Sequence, residues 1–204
     1  PLHHALQAKL VVQMARVRQG RTAVVMEHIR RDKSADLADF LARIDRRVPA
    51  YWTTAAAQLG DALRWKQSGW PAWAQFQPIA EAAIRAGIPI LAGDVPRPEI
   101  MSVARKGLSV LSAADRTSYG LDTALPEKLR EALLDELEAS HCGLMPKSVF
   151  GKMADAQRLR DGHLARAAAD AAKRHGSAVL LTGNGHARPD RGVAWYLRRL
   201  DPAL

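Results

Sequence analysis

The chain has 204 residues, 48% hydrophobic and 25% charged, with a formal net charge of +9. That composition describes a globular chain near the upper length of one domain and excludes a disordered one. No apolar window approaches the roughly 18 residues of a membrane helix, and Cys142, the single cysteine, excludes an internal disulfide. The basic balance suits an anionic partner, but the arginines are interleaved with acids, as in Arg43-Ile44-Asp45-Arg46-Arg47, and no nucleic-acid-recognition motif is present. Nucleic acid is therefore not expected as a partner.

In chain order, Leu6, Leu10, Val11, Met14 and Val17 recur at helical spacing and predict a helix over residues 2–19, closed by Gly20. Residues 22–26 form a short apolar run, expected as a buried strand that stops at Glu27-His28. Leu37, Phe40, Leu41 and Ile44 predict a helix over 35–46, and a further helix over 75–85 leads through Gly87 into a second strand, 88–92, which ends in Gly93-Asp94-Val95-Pro96-Arg97. Strand, helix, strand is the order of a parallel sheet with crossover helices.

Between Met101 and Phe150 the spacing turns helical, with a leucine-rich amphipathic stretch over 124–140 and only 107–111 suggesting a strand. Residues 101–150 read as a helical insert in an α/β core made of residues 1–100 and 151–204. The longest helix is expected over 152–174, ended by Gly176, and the last strand, from Ala178, runs into Gly183-Asn184-Gly185-His186-Ala187-Arg188. The fold class is α/β, a parallel β-sheet flanked by helices with a smaller helical subdomain.

Ligands of open parallel sheets bind beyond the carboxyl ends of the strands, so Glu27, Asp94 and His186 are expected to line one cleft. On the long helix, Gln157, Arg160 and Asp161 share a face with Met153 and Leu164 and need polar partners, either neighbouring loops or that cleft. His3 and His4 open the first helix, and adjacent positions point in different directions, so at most one of the two is expected to face a given ligand. His141-Cys142-Gly143 is a weak metal signature, since zinc sites show repeated spacings, and Cys142 reads better as a small buried side chain. Trp65, Trp70, Trp73 and Phe76 read as core or as a flat wall for a planar ligand. Phosphate-loop, Gly-x-Gly-x-x-Gly, Gly-x-Ser-x-Gly and His-Glu-x-x-His motifs are all lacking, against nucleotide hydrolysis, dinucleotide binding and serine-hydrolase chemistry.

Taken together, Pro1 to Gln7, Val24-Val25-Met26-Glu27, Gly87 to Arg97, Ala104-Arg105-Lys106-Gly107, His141-Cys142-Gly143, Met153 to Ala165, and Thr182 to Val193 resemble the ChaN family of haem-binding, iron-regulated proteins within the Tiki superfamily. The resemblance implies a parallel sheet with a smaller helical region, a bacterial cell-envelope location as a periplasmic protein or outer-membrane lipoprotein, and a role in haem or iron acquisition. It also implies a first strand ending in a Gly-Glu-x-His motif upstream of the paired histidines, where this chain already starts, and membrane anchoring through such a preceding segment. His28 and Leu164 stand where methionine is commoner in the family.

Haem requires an apolar slot, an axial ligand and cations for its propionates. Candidate axial residues are Tyr51, Tyr119, Tyr196 and the histidines, and candidate propionate partners are Arg97, Lys147 and Arg188. The expected cleft comprises His3, His4, Glu27, Asp94, Arg97, Tyr119, His141, Gln157, Arg160, Asp161, His186 and Arg188, with haem iron as the bound metal and His186 as the metal-ligand candidate. A haem receptor or transporter of the envelope would be its partner, and a homodimer would enclose a large flat cofactor better than one copy. The alternative is a metal-dependent hydrolase using Glu27 and His186. A third reading, a partner-binding protein with a vestigial cleft, expects His186 to be hydrogen-bonded inward to Arg160 or Asp161.

Overall fold

The protein is described by a computed structural model over residues 2–45, 47–142 and 144–201. Pro1, Arg46 and Gly143, which occur in the motifs above, lie outside the described residues. The chain forms two compact units, Pro1–Gly93 with Asp170–Leu181, and Asp94–Ala169 with Thr182–Leu204.

The first unit holds the sheet. Strands β1 (Ala23–Arg30), β2 (Ile90–Asp94) and β3 (Ala178–Leu181) lie in the order β2-β1-β3 in a three-stranded parallel sheet. Ala23 pairs with Ala178 and Met26 with Leu181. Ala23 to Glu27 are all buried, which is why this strand reads as an unbroken apolar run rather than as an alternating one. Gly93 is required by packing: a Cβ there would stand 2.9 Å from the Met26 carbonyl oxygen.

Helices α1 (Leu2–Val17), α2 (Ser34–Ala42), α3 (Trp52–Ala62) and α4 (Gln77–Arg85) cover this sheet. Val11, Leu37, Leu59, Phe76, Ile79 and Ile88 join Val24, Met26 and Ile90 in one core. α3 is not among the helices expected from the sequence; its buried side is built from Ala55, Ala56, Leu59 and Gly60, and such small residues mark a buried face weakly.

The second unit is helical: α5 (Arg97–Lys106), α6 (Ala113–Ser118), α7 (Glu127–Ser140), most of α8 (Lys147–His175) and α9 (Val193–Leu200). Residues 107–111 are not a strand. Gly107, at φ 82°, ends α5 and a single 3-10 turn over Leu108–Val110 follows. Tyr119 lies directly against α8 because position 162 is glycine, and a Cβ there would collide with the Tyr119 carbonyl oxygen. Val103, Leu121, Leu133, Phe150, Leu159 and Tyr196 are buried in this unit. Among the described residues no helix is long and apolar enough to cross a membrane.

Two strand boundaries differ from expectation. β1 continues four residues beyond Met26, because Ile29 returns a β-branched side chain to the core at 2% exposure. Glu27 and His28 consequently lie inside the strand. β2 starts and ends two residues later than its apolar run, which makes Asp94 its last residue.

Candidate functional site

The best-defined polar cluster belongs to the second unit, where α8 meets the loop after β3. Thr182 leaves the strand, the backbone N–H groups of His186 and Ala187 donate to the Gly183 carbonyl at 3.1 and 3.0 Å, and Val193 N–H donates to the His186 carbonyl at 2.9 Å. Gly192 closes this loop. A Cβ at that position would run into the carbonyl oxygens of His186 and Arg188.

The loop turns the His186 ring onto α8, with 5% of the residue exposed. Its Nδ1 stands 2.7 Å from Asp161 Oδ1 and 3.1 Å from Gln157 Nε2. A carboxylate only accepts, so Nδ1 carries the hydrogen and, in the neutral ring, Nε2 carries the lone pair. A carboxylate behind an imidazole in this way fixes tautomer and orientation for metal ligation or general-base work. The inward hydrogen bond expected of a vestigial cleft is the same contact, so its presence does not separate the readings.

One residue earlier on the same helix, Arg160 grips Asp94. Its Nε lies 3.0 Å and its Nη2 2.7 Å from Asp94 Oδ2, and Asp94 Oδ1 also accepts from the Val95 N–H at 2.8 Å. Arg160 and Asp161 thus anchor two segments distant in sequence, the end of β2 and the His186 loop. Of the three strand-end residues, Asp94 and His186 are both fastened to α8. Glu27, 3% exposed, belongs to the other unit.

The remaining candidates have local partners. Arg188 pairs with Asp190 at 3.1 Å, and this hydrogen bonding holds the Asp190 carboxyl down to about 2 and raises Arg188. Arg191, which carried no sequence signal, is 6% exposed and joins Asp190 to Glu136 on α7. His141 Nδ1 is 2.7 Å from the Leu137 carbonyl of its own helix, and Cys142 is exposed rather than buried. Tyr119 packs its ring 5.3 Å from His163, a buried histidine that the sequence did not single out. Arg97 is exposed at the first turn of α5. Lys147 reaches Glu138 at 3.3 Å with 84% of its side chain exposed.

The tyrosines separate clearly. Tyr196 is fully buried, its hydroxyl accepting from Arg158 Nε at 3.1 Å, and burial pushes its pKa up to about 12. Tyr51 is exposed and its hydroxyl meets Gln58.

In the first unit, the His3 and His4 rings meet at a tilt of 47° with centroids 3.9 Å apart instead of diverging, and His4 also meets the Phe76 ring at 4.7 Å. His3 is exposed and His4 is 7% exposed. The His4 Nδ1 is buried without a hydrogen-bond partner among the described residues. Burial, reinforced by the neighbouring His3, lowers the His4 pKa. His28, Trp65, Trp70 and Trp73 complete an aromatic cluster around Phe76.

A three-stranded parallel sheet with flanking helices, together with a helical unit whose long helix pins a histidine loop, is an α/β protein with a candidate ligand or metal site. The sequence profile of haem-binding uptake proteins (Tiki superfamily, ChaN) matches residues 1–197, and the chain belongs to that family. A solved structure described as cofacial haem binding to ChaN of Campylobacter jejuni matches with a TM-score of 0.71 over 96% of this chain and 71% of that one, at 17% identity. That identity speaks for the fold alone. No curated protein matches the chain.

Proposed function

We propose that this chain binds haem for bacterial haem or iron uptake. The observation that carries the reading is the family match along residues 1–197, and two features of the first unit fit the group. An open, largely apolar groove of about 690 Å³ runs between α1 and α4, with Ala8, Val12 and Pro78 in its lining and Lys9, Arg16 and Arg85 among its charged residues. That is the size range of ligand sites, and the cations suit two propionates. His4, one helical turn before Ala8, packs on Phe76 outside the groove lining; its buried Nδ1 has no partner among the described residues, and its lowered pKa favours the neutral imidazole that iron ligation requires. Bound haem would supply the iron centre, while the chain supplies the axial imidazole, the cations and the apolar walls.

We further propose that two copies enclose haem face to face, in keeping with the cofacial haem binding described for the Campylobacter jejuni protein. In this reading the protein acts at the cell envelope, as a periplasmic protein or outer-membrane lipoprotein, and delivers haem to a receptor or transporter. Absorbance titration tests the core claim. A saturable Soret shift is expected, with His4→Ala weakening haem at least tenfold and His186→Ala changing it little. Absence of any shift would overturn the reading.

The second reading, a metal-dependent hydrolase, draws support from the Asp161–His186 pair, which orients an imidazole as a base or ligand. Under it, Asp161→Asn and His186→Ala should abolish metal-dependent turnover of a peptide or ester, whereas a haem carrier loses at most affinity.

A further inference from the structure

A second, smaller cavity lies in the first unit, at the far end of β1 from its first residues. It encloses about 270 Å³ and is lined by His28, Ile29 and Arg30 from the strand, Asp32 and Lys33 just after it, and Leu63 to Ser68 at the end of α3, apart from Lys66. Its volume falls just below the range of drug-sized ligand pockets, so it suits a ligand much smaller than a porphyrin.

The chemistry of its walls is specific. Trp65, 4% exposed, is fixed by its indole N–H donating to the Pro71 carbonyl at 2.8 Å and by edge contact with Trp73 at 4.7 Å. The His28 ring is held between Trp70 at 4.6 Å and Phe76 at 4.5 Å. Two flat rings and the aliphatic Ile29 and Leu63 thus form walls set by packing before any ligand arrives.

The rim is cationic. Among the described lining residues, Arg30, Lys33 and Arg64 face one carboxylate, Asp32. Arg30 uses one N–H on the Ser68 carbonyl at 3.3 Å, and Lys33 uses one on Asp36 at 3.0 Å. The guanidinium has five donors and the ammonium three, so both keep donors for an oxyanion. Arg64 sits in the left-handed region, at φ 52° and ψ 46°, where a helix end ordinarily places glycine or asparagine. Arg64 is the third cation that lines the cavity.

We propose that this cavity binds a small planar organic oxyanion, an aryl carboxylate or aryl phosphate, its ring against Trp65, Ile29 and Leu63 and its anionic group on Arg30 and Arg64. The site is independent of haem binding, and neither succeeds or fails with the other. Lone Asp32 disfavours a second negative group beside the ring and can accept from a ring hydroxyl.

Isothermal titration calorimetry of the full chain with benzoate, phenyl phosphate, inorganic phosphate and uncharged benzamide tests the assignment. Benzoate or phenyl phosphate should bind saturably, whichever is tighter naming the anion, and benzamide and inorganic phosphate at least tenfold more weakly. Arg64→Asn tolerates the same backbone conformation while removing the charge, and Arg30→Gln keeps a donor without charge. Each should weaken the tighter ligand about tenfold with unchanged haem titration and thermal midpoint. Failure of both aryl anions to bind at millimolar concentration, equal binding of benzamide, or unaltered affinity in both variants would overturn the proposal.

Discussion

At the residue scale, buried ionisable groups make the sharpest predictions. Burial keeps His4 neutral in the fold below its unfolded pKa of 6.5, so the unfolded chain binds more protons and stability falls as the pH drops through 6.5, levelling off below the folded value. The variant His4→Phe removes the unpartnered Nδ1 and is expected to be about 1 kcal/mol more stable at pH 7.5. It should also lose less stability than the parent between pH 7.5 and 5.5. Urea midpoints at the two pH values decide this, and equal losses would refute it. Tyr196 works in the opposite direction. With its pKa at about 12 against about 10 when unfolded, the fold holds a proton that the unfolded chain releases, and stability is lost as the pH rises from 10 to 12. Two units correspond to about 2–3 kcal/mol, and Tyr196→Phe should abolish that alkaline loss.

At the scale of elements, α8 is the strut of the second unit, because consecutive residues tie down two loops. Arg160→Met leaves the Asp94 carboxylate, 4% exposed, without its bidentate partner, and is expected to cost about 3 kcal/mol in chemical denaturation. Adding Asp94→Asn should recover part of that loss, since the two effects belong to one interaction. Additive losses would show that the pair is not coupled. The His186 loop depends on backbone proximity instead. Gly192→Ala forces its methyl against two carbonyl oxygens, should cost about 2 kcal/mol, and should displace the His186 imidazole resonances in NMR. Neither contact needs an unusual residue in sequence, which is why Arg160 read only as a polar residue on an apolar face, awaiting a partner.

At the scale of the whole molecule, the formal charge of +9 opposes self-association, and each haem brings two propionates that offset part of it. Pairing of two copies should therefore need haem, and raising the salt concentration should ease it by screening. Light scattering is expected to show a doubling of mass on adding haem and none with the ligand withheld. A mass unchanged by haem would exclude the face-to-face arrangement while leaving one-to-one binding intact. The groove between α1 and α4 and the exposed Leu6, Leu10 and Val17 of α1 offer apolar surface for such an arrangement.

The α/β class, the long helix, the three strand cores and the family were legible in the order of residues, since each rests on local periodicity or on a motif carried in order along the chain. The sequence also identified Gln157, Arg160 and Asp161 as polar groups needing partners, and Asp94 and His186 as cleft residues at strand ends. Which partner each received was settled by long-range packing, because Arg160 and Asp94 are 66 positions apart and no short-range pattern encodes that pairing. The same holds for strand length: whether Glu27 ends a strand or lies within it depends on what packs over Ile29, a contact made by distant segments. The aromatic run Trp65 to Phe76 was legible as core or as a flat wall, but its meeting with His28 was not, because the strand end and the helix end that carry them adjoin only in the folded chain.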